Sequence, residues 1–413
     1  MKKSLVALVA ALGACFMVAQ GAEAKSLEDI LKEKGVITEA DYQEIAKSSP
    51  KIDYKIGSGF SVTSPDEKFM LNIGGLMMVR YMFADNDTAQ DVSQFSLKKG
   101  RVWFKGYAFT KDLEYRLQLA FENSGNNKML EYAYVKYNFM KEIQLAAGQS
   151  KPIFGRQNMS SVASLQFVDV APVVSAFSPG YDLGAYASGK IMGGIINYDL
   201  SVSNGAGQTT ARNSNNNAFL AHLQFNPLGY VGWGEGDTGI SKKPLVTIGS
   251  AFYMNTLARS GAGFETNNLG YASTSKGWVG KNAAYFNAAE KVDINSVNID
   301  AAFKWMGASL QAEYFWGQAD GQITDNTVRA QGYYAQAGYM ILPKLELAMR
   351  YSYLDPNRDQ ANDSITEILG GVSYYFNSHK LKLQADVGNI HTQKTSALAT
   401  DDMQYRVQVE VNF

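Results

Sequence analysis

The chain has 413 residues, with 38 lysines and arginines against 39 aspartates and glutamates, 24 tyrosines, 21 phenylalanines, 38 glycines and 9 prolines. A formal charge of −1 offers no field for nucleic acid. A mean hydropathy of −0.20, with no run of about 18 apolar residues after the N-terminus, excludes a helical membrane protein.

In chain order, Met1-Lys2-Lys3 is a short basic segment, Leu5 to Val18 is apolar, and Ala22-Glu23-Ala24 has the small-x-small pattern of a cleavage site. Residues 1–24 therefore read as a secretory signal, with export across the inner membrane and Lys25 as the first mature residue. The alternative is a lipobox at Leu12-Gly13-Ala14-Cys15, which would place a lipid on Cys15; Phe16-Met17-Val18 continue the apolar run where lipoproteins turn polar. Cleavage after Ala24 leaves no cysteine, hence no disulfide and no thiolate metal site.

Residues 25–50 predict a periplasmic helical hairpin. Ser26-Leu27-Glu28-Asp29 can cap a helix bearing Leu27, Ile30 and Leu31 that Gly35 stops, and Thr38-Glu39-Ala40-Asp41 can begin a second with Tyr42 and Ile45 on its apolar side. This hairpin resembles short oligomerisation motifs at the termini of some bacterial proteins. Residues 51–66 read as a polar linker.

From residue 67 to 413 one design repeats: about ten residues of alternating character, then a turn. Tyr405, Val407, Val409, Val411 and Phe413 alternate with Gln404, Arg406, Gln408, Glu410 and Asn412; Tyr115, Leu117, Leu119 and Phe121 alternate with Glu114, Arg116, Gln118 and Ala120. Period two puts each set on one face, and the charged opposite face fits a wet lumen better than a packed sandwich core. Sixteen strands are predicted: 69–83, 95–109, 113–122, 130–138, 143–150, 182–190, 192–203, 218–226, 245–256, 297–305, 308–319, 331–341, 344–354, 365–376, 380–390 and 403–413. Tight connections such as Met306-Gly307 and Leu342-Pro343 alternate with long polar ones such as 204–217 and 257–296, the pattern of an all-β transmembrane antiparallel barrel in an outer membrane. Segment 227–244 is the exception, long where a short turn is due. Closure leaves no edge strand facing lipid, and the final strand ends on Phe413, an assembly signal for such barrels.

Leu97-Lys98-Lys99-Gly100-Arg101-Val102-Trp103-Phe104-Lys105-Gly106, Lys111-Asp112-Leu113-Glu114-Tyr115, Ala147-Gly148-Gln149-Ser150-Lys151-Pro152-Ile153-Phe154 and Tyr374-Tyr375-Phe376-Asn377 before Leu381-Lys382-Leu383-Gln384 resemble the phosphate-selective porin O/P family over residues 50–413. The resemblance implies a homotrimer of sixteen-stranded barrels, an inward-folded third loop and a preference for anions.

With apolar sides toward outer-membrane lipid, the early strands send Arg80, Lys99, Arg101, Lys105, Arg116 and Lys136 inward. The late strands send in Asp300, Glu313, Glu346, Glu367, Asp386 and Glu410, interspersed with Lys304, Arg350, Lys382 and Arg406. One wall is basic and the other mixed. Clustered cations concentrate small anionic solutes, and arginine forks match oxyanions. Lys151 and Arg156 open the segment 151–181, the candidate constriction, which also holds Phe154, Phe167, Asp169 and Phe177. The pore-lining anion-binding set is thus Arg80, Lys99, Arg101, Lys105, Arg116, Lys136, Lys151, Arg156, Arg350 and Arg406. The family's phosphate channels lead one to expect a dense arginine ladder; many of the basic residues here are lysines, so a tight phosphate-specific site does not follow.

Three histidines (His222, His379 and His391) on separated elements provide little material for a triad or a zinc site, and no cofactor is expected. Asp355, Asn357, Asp359 and Asp363 depart from a calcium loop at Gln360 and Thr366. The alternatives to a diffusion channel are a barrel sheathing a partner such as a cytochrome, and an outer-membrane hydrolase.

Overall fold

The computed structural model describes residues 31–36, 38–41, 49–122, 128–212, 216–266, 269–395 and 397–413. The expected signal segment and most of the helical hairpin lie outside them. In the N-terminal unit, residues 31–33 and 39–41 are helical. Thr38 Oγ1 accepts from Asp41 N at 3.2 Å while Asp41 Oδ2 accepts from Thr38 N at 2.9 Å, the reciprocal cap expected for a helix start.

The second unit runs from Lys51 to Phe413. Its barrel strands are β1 (Phe69–Asp85), β2 (Val92–Ala108), β3 (Thr110–Ala120), β4 (Leu130–Met140), β5 (Ile143–Ser150), β6 (Asp182–Ile191), β7 (Ile196–Ser203), β8 (Ala218–Phe225), β9 (Leu245–Ser260), β10 (Lys291–Trp305), β11 (Ala308–Gly321), β12 (Thr327–Leu342), β13 (Leu345–Asp355), β14 (Ile365–Tyr375), β15 (Leu381–Thr392) and β16 (Thr400–Asn412). Each pairs antiparallel with its neighbours in sequence, and β16 closes on β1 from Met403↔Asp85 to Asn412↔Leu76. At the seam Phe413 N donates to Gly75 O at 3.0 Å and accepts back at 2.7 Å through its own carbonyl. A Cβ on Gly75 would stand 2.5 Å from the Phe413 ring, so only glycine lets the ring lie there.

The stretch read as linker contains a hairpin, Lys51–Lys55 with Gly59–Thr63. Its second strand pairs with β1 from Phe60↔Ile73 to Thr63↔Met70. Because β1 begins below the end of β16, the hairpin covers the part of its edge that closure leaves open.

Outward residues form an apolar band: Leu117, Val135, Ile299, Leu347, Met349 and Ile368 are all exposed. Rings bound the band on both sides. Tyr81–Phe95 (5.0 Å) and Tyr333–Tyr351 (6.1 Å) lie toward the long loops, Tyr137–Phe139 (4.6 Å) and Tyr374–Phe376 (4.8 Å) toward the short turns, the girdle arrangement of outer-membrane barrels. Met349 sits between the girdles, 67% exposed, with Ala337 and Gly370 beside it. Met349→Arg is expected to cost about 2–4 kcal/mol, read as a lowered urea midpoint for folding into lipid vesicles.

The lumen differs from the expected wet interior. On its β8–β13 side the connections 151–181 and 261–290 bring Phe154, Phe177, Tyr271 and Trp278 against inward Leu257, Val292, Ile294 and Val328, forming one buried apolar cluster. The strands there extend past the predicted limits 245–256, 297–305 and 331–341. Above the lipid their polarity inverts, with Val292 and Ile294 buried inward and Asp293 and Asn295 outward. The apolar-out rule therefore stops short of the true strand ends.

Candidate functional site

Two connections meet inside the barrel. Loop 151–181 carries α1 (Arg156–Met159) and α2 (Pro172–Phe177). The wall residue Glu313 receives the first amides of α1, Arg156 N at 2.7 Å and Gln157 N at 2.6 Å, satisfying donors that a helix start leaves free. Further along, Gln166 donates to Glu346 (2.7 Å), Lys382 to Leu165 O (2.7 Å) and Val168 N to Asp386 (3.2 Å). The mixed wall of late-strand charges is thus the surface on which the constriction loop is docked.

The second connection is the anomalous segment 227–244, which enters from the short-turn side. Glu235 N donates to Ser164 O at 2.8 Å, and the buried Glu235 carboxylate accepts from Gln166 N (2.7 Å) and Gln157 Nε2 (2.8 Å). Ser160 Oγ donates to Trp233 O at 2.5 Å, Arg156 to Gly232 O, and Lys304 to Gly234 O at 2.7 Å. Gln311 Nε2 is a third donor to the Glu235 carboxylate, at 3.2 Å, so Glu235→Ala removes the acceptor of three hydrogen bonds, each worth about 1.5–3 kcal/mol when its acceptor is charged. A lowered melting temperature and larger, noisier single-channel currents are expected.

Arg80, Arg156, Arg350 and Arg406 face the lumen as predicted, but all four are at most 5% exposed. Arg80 bonds Asp169 (2.5 Å) and Gln408 (2.9 Å), Arg406 bonds Asp386 (2.6 Å), and Arg350 bonds Glu367 (2.9 Å) and Asp169 O (2.9 Å). Arg156 bonds Gln311 and Gly232. Their guanidinium groups are taken up by protein oxygens and pin connections in place. Asp169 is the shared acceptor. Burial would raise its carboxyl, yet Arg80, Lys98 and Arg406 hold it at about 2.

On the other side a cavity of about 510 Å³ remains open along β2–β4, lined by Lys99, Arg101, Trp103 and Lys105 of β2, Arg116 of β3, Glu131 and Tyr132 of β4, and Lys151. From Lys99 to Lys105 the strand advances about 20 Å at roughly 3.3 Å per residue. Glu122 and Glu131 counter Lys99 (3.0 Å) and Arg101 (3.1 and 2.7 Å). Lys105, Arg116 and Lys151 have no carboxylate within ion-pair distance among the described residues; rings stand beside them instead, Trp103 at 5.7 Å, Tyr132 at 4.1 Å and Tyr181 at 5.6 Å. Lys136 pairs with Glu114 at 2.8 Å and lines an adjoining cavity of about 240 Å³ with Arg116 and Lys151.

Two bulges shape this lane. Met78 pairs Lys99 but Val79 pairs Leu97, so Lys98 is an extra residue, and its ammonium reaches Asp169 at 3.5 Å. Gln118 pairs Tyr132 but Leu119 pairs Leu130, so Glu131 is extra and reaches Arg101. A bulge re-aims a side chain, and strict alternation missed Lys98 and Glu131 for that reason. Glu235 carried no signal beyond the misplaced length of its segment.

A family model described as phosphate-selective porin O and P matches residues 76–413. A protein of Aquifex aeolicus (strain VF5), described as uncharacterized, is 25% identical over 409 residues, spanning 87% of this chain and 89% of the relative. An anion-selective porin from Comamonas acidovorans superimposes with a TM-score of 0.58 at 8% identity, covering 83% of this chain and 99% of the other. The trimer form of OmpT, an outer membrane protein of Vibrio cholerae, does so with a TM-score of 0.53 at 11% identity, over 83% and 99%. With a closed sixteen-stranded barrel, a lumen narrowed by its own loops and a family match over most of its length, this chain is an outer-membrane channel belonging to the phosphate-selective porin O and P family.

Proposed function

We propose that the channel passes small hydrophilic solutes passively and favours anions, working as a homotrimer after export and removal of residues 1–24. One observation carries this reading: the lane left open between wall and loop is lined by five cations against Glu131, with Glu122 as a second counter-charge at its edge. At an effective dielectric of about 20 and a distance of about 7 Å, one uncompensated charge is worth roughly 2.4 kcal/mol. Screening at a Debye length of about 8 Å lowers this to about 1 kcal/mol, a local anion enrichment of about fivefold per charge. Connections of the chain itself occupy the lumen space that a sheathed partner would need, which favours diffusion over a scaffold role.

Accessibility tests the path. Arg116→Cys is expected to react with an anionic thiosulfonate faster than with a cationic one and to lose current, whereas Arg350→Cys behind the loop stays unmodified. Equal rates for both reagents, or labelling at position 350 alone, would refute the assigned path.

A pH dependence follows from Lys151. Burial, reinforced by Arg101, pushes its ammonium down to about 8. The lysine is charged below that value and neutral above it, so anion preference is expected to fall between pH 7 and 9. Lys151→Arg should flatten the profile, as measured by reversal potentials at stepped pH.

A further inference from the structure

We infer that the lane holds a station for organic carboxylates with an apolar, ring-sized body, in preference to inorganic phosphate; this rests on the anion-favouring reading above. The first observation is what has become of the guanidinium forks. Arg80, Arg101, Arg156, Arg350 and Arg406 are all engaged by protein oxygens, and Arg116 donates to Gln118 at 2.5 Å with its face on Tyr132. A phosphate dianion is held best by several bidentate forks, and the lane offers at most one beside three ammonium groups, of which Lys99 is paired with Glu122.

The second observation is what faces those cations. Loop 151–181 presents Met159, Val162, Val170 and Val174 to the same cavity, and the wall adds Leu76 and Trp103. Such a surface gives a hydrated inorganic ion nothing in return for shedding water, but it rewards an apolar body in proportion to the area covered. The cavity, at about 510 Å³, lies in the range of roughly 300–1,000 Å³ typical of sites for organic ligands.

The third observation concerns orphan donors. Asn158 lines the cavity at 6% exposure, and its Nδ2 has no hydrogen-bond partner among the described residues; Arg116 Nε is buried and equally unpartnered. Both groups are donors, which a carboxylate oxygen can satisfy, with Lys151 beside them adding the charge that favours an anion over a neutral acceptor. The station therefore takes the carboxylate on the Arg116–Lys151–Asn158 side and the body against Val170 and Val174.

The test uses the full-length mature channel in a planar bilayer carrying chloride current, with benzoate, cyclohexanecarboxylate, acetate and inorganic phosphate added in turn. The two ring carboxylates are expected to block at concentrations about tenfold or more below acetate and phosphate. Val170→Ser combined with Val174→Ser is expected to bring benzoate block toward that of acetate. Phosphate blocking as well as benzoate, or acetate matching both ring compounds, would overturn the station while an anionic reversal potential in the same membrane left the channel reading standing. A cationic reversal potential would overturn both.

Discussion

Asp169→Ala is expected to release the constriction loop, raising single-channel conductance and current noise and lowering thermal stability. In the native chain this carboxylate meets Arg80 at 2.5 Å, Arg406 at 3.4 Å and Lys98 at 3.5 Å, three cations from three strands converging on one loop residue. Removing it leaves Arg80 and Lys98 without a carboxylate partner among the described residues, crowded beside Arg406, which keeps Asp386. Breaking a fully buried pair costs about 3–5 kcal/mol. Because the Asp169 side chain keeps 35% of its surface, a loss of roughly 2–3 kcal/mol is the better expectation. The sign of its pH dependence follows from a carboxyl held at about 2 against an ordinary 3.8: the stabilisation is complete above about pH 4 and is lost only as pH falls toward 2. Neutral and mildly acidic media should therefore leave the clamp closed. Asp169→Asn, which keeps an acceptor without the charge, is expected to fall between wild type and alanine. Unchanged conductance and melting in both variants would remove Asp169 from the account.

Simultaneous Lys105→Glu, Arg116→Glu and Lys151→Glu is expected to convert the channel from anion to cation preference. These are the lane cations with no carboxylate in ion-pair range among the described residues, so reversing them changes the field without breaking an ion pair. With about 1 kcal/mol per charge at physiological salt, the permeability ratio should swing by well over about tenfold. The same substitutions at Arg80, Arg350 and Arg406 should act differently, harming assembly before selectivity, because those guanidinium groups hold loop 151–181. High salt is expected to shrink the effect of the lane variants by screening. A triple variant with wild-type selectivity would show that the field is set elsewhere.

The barrel was legible because lipid imposes a simple rule on every strand. Alternation in 403–413 and 113–122 identifies the outward face, and all sixteen predicted strands have a counterpart in the structure. The rule fails where lipid ends. At Val292 and Ile294 the inner face turns apolar because loops pack against it, and the predicted start of that strand falls late. Charge position was legible in the same way, since alternation sends Arg80 and Arg116 to one side. Charge availability was not. Whether an inward arginine meets solute or a loop depends on contacts between residues far apart in the chain, such as Arg80 with Asp169 or Gln157 with Glu235. Nor could period two register Lys98 and Glu131, whose inward aim comes from one extra residue in each pairing.

The lane itself stands on the most direct test, a planar-bilayer reversal potential across a KCl gradient at neutral pH. Wild-type channels are expected to show a potential displaced toward that of chloride, diminishing as pH passes 8 and reversed toward that of potassium in the Lys105, Arg116 and Lys151 triple variant. A potential displaced toward that of potassium in the wild-type channel would contradict it.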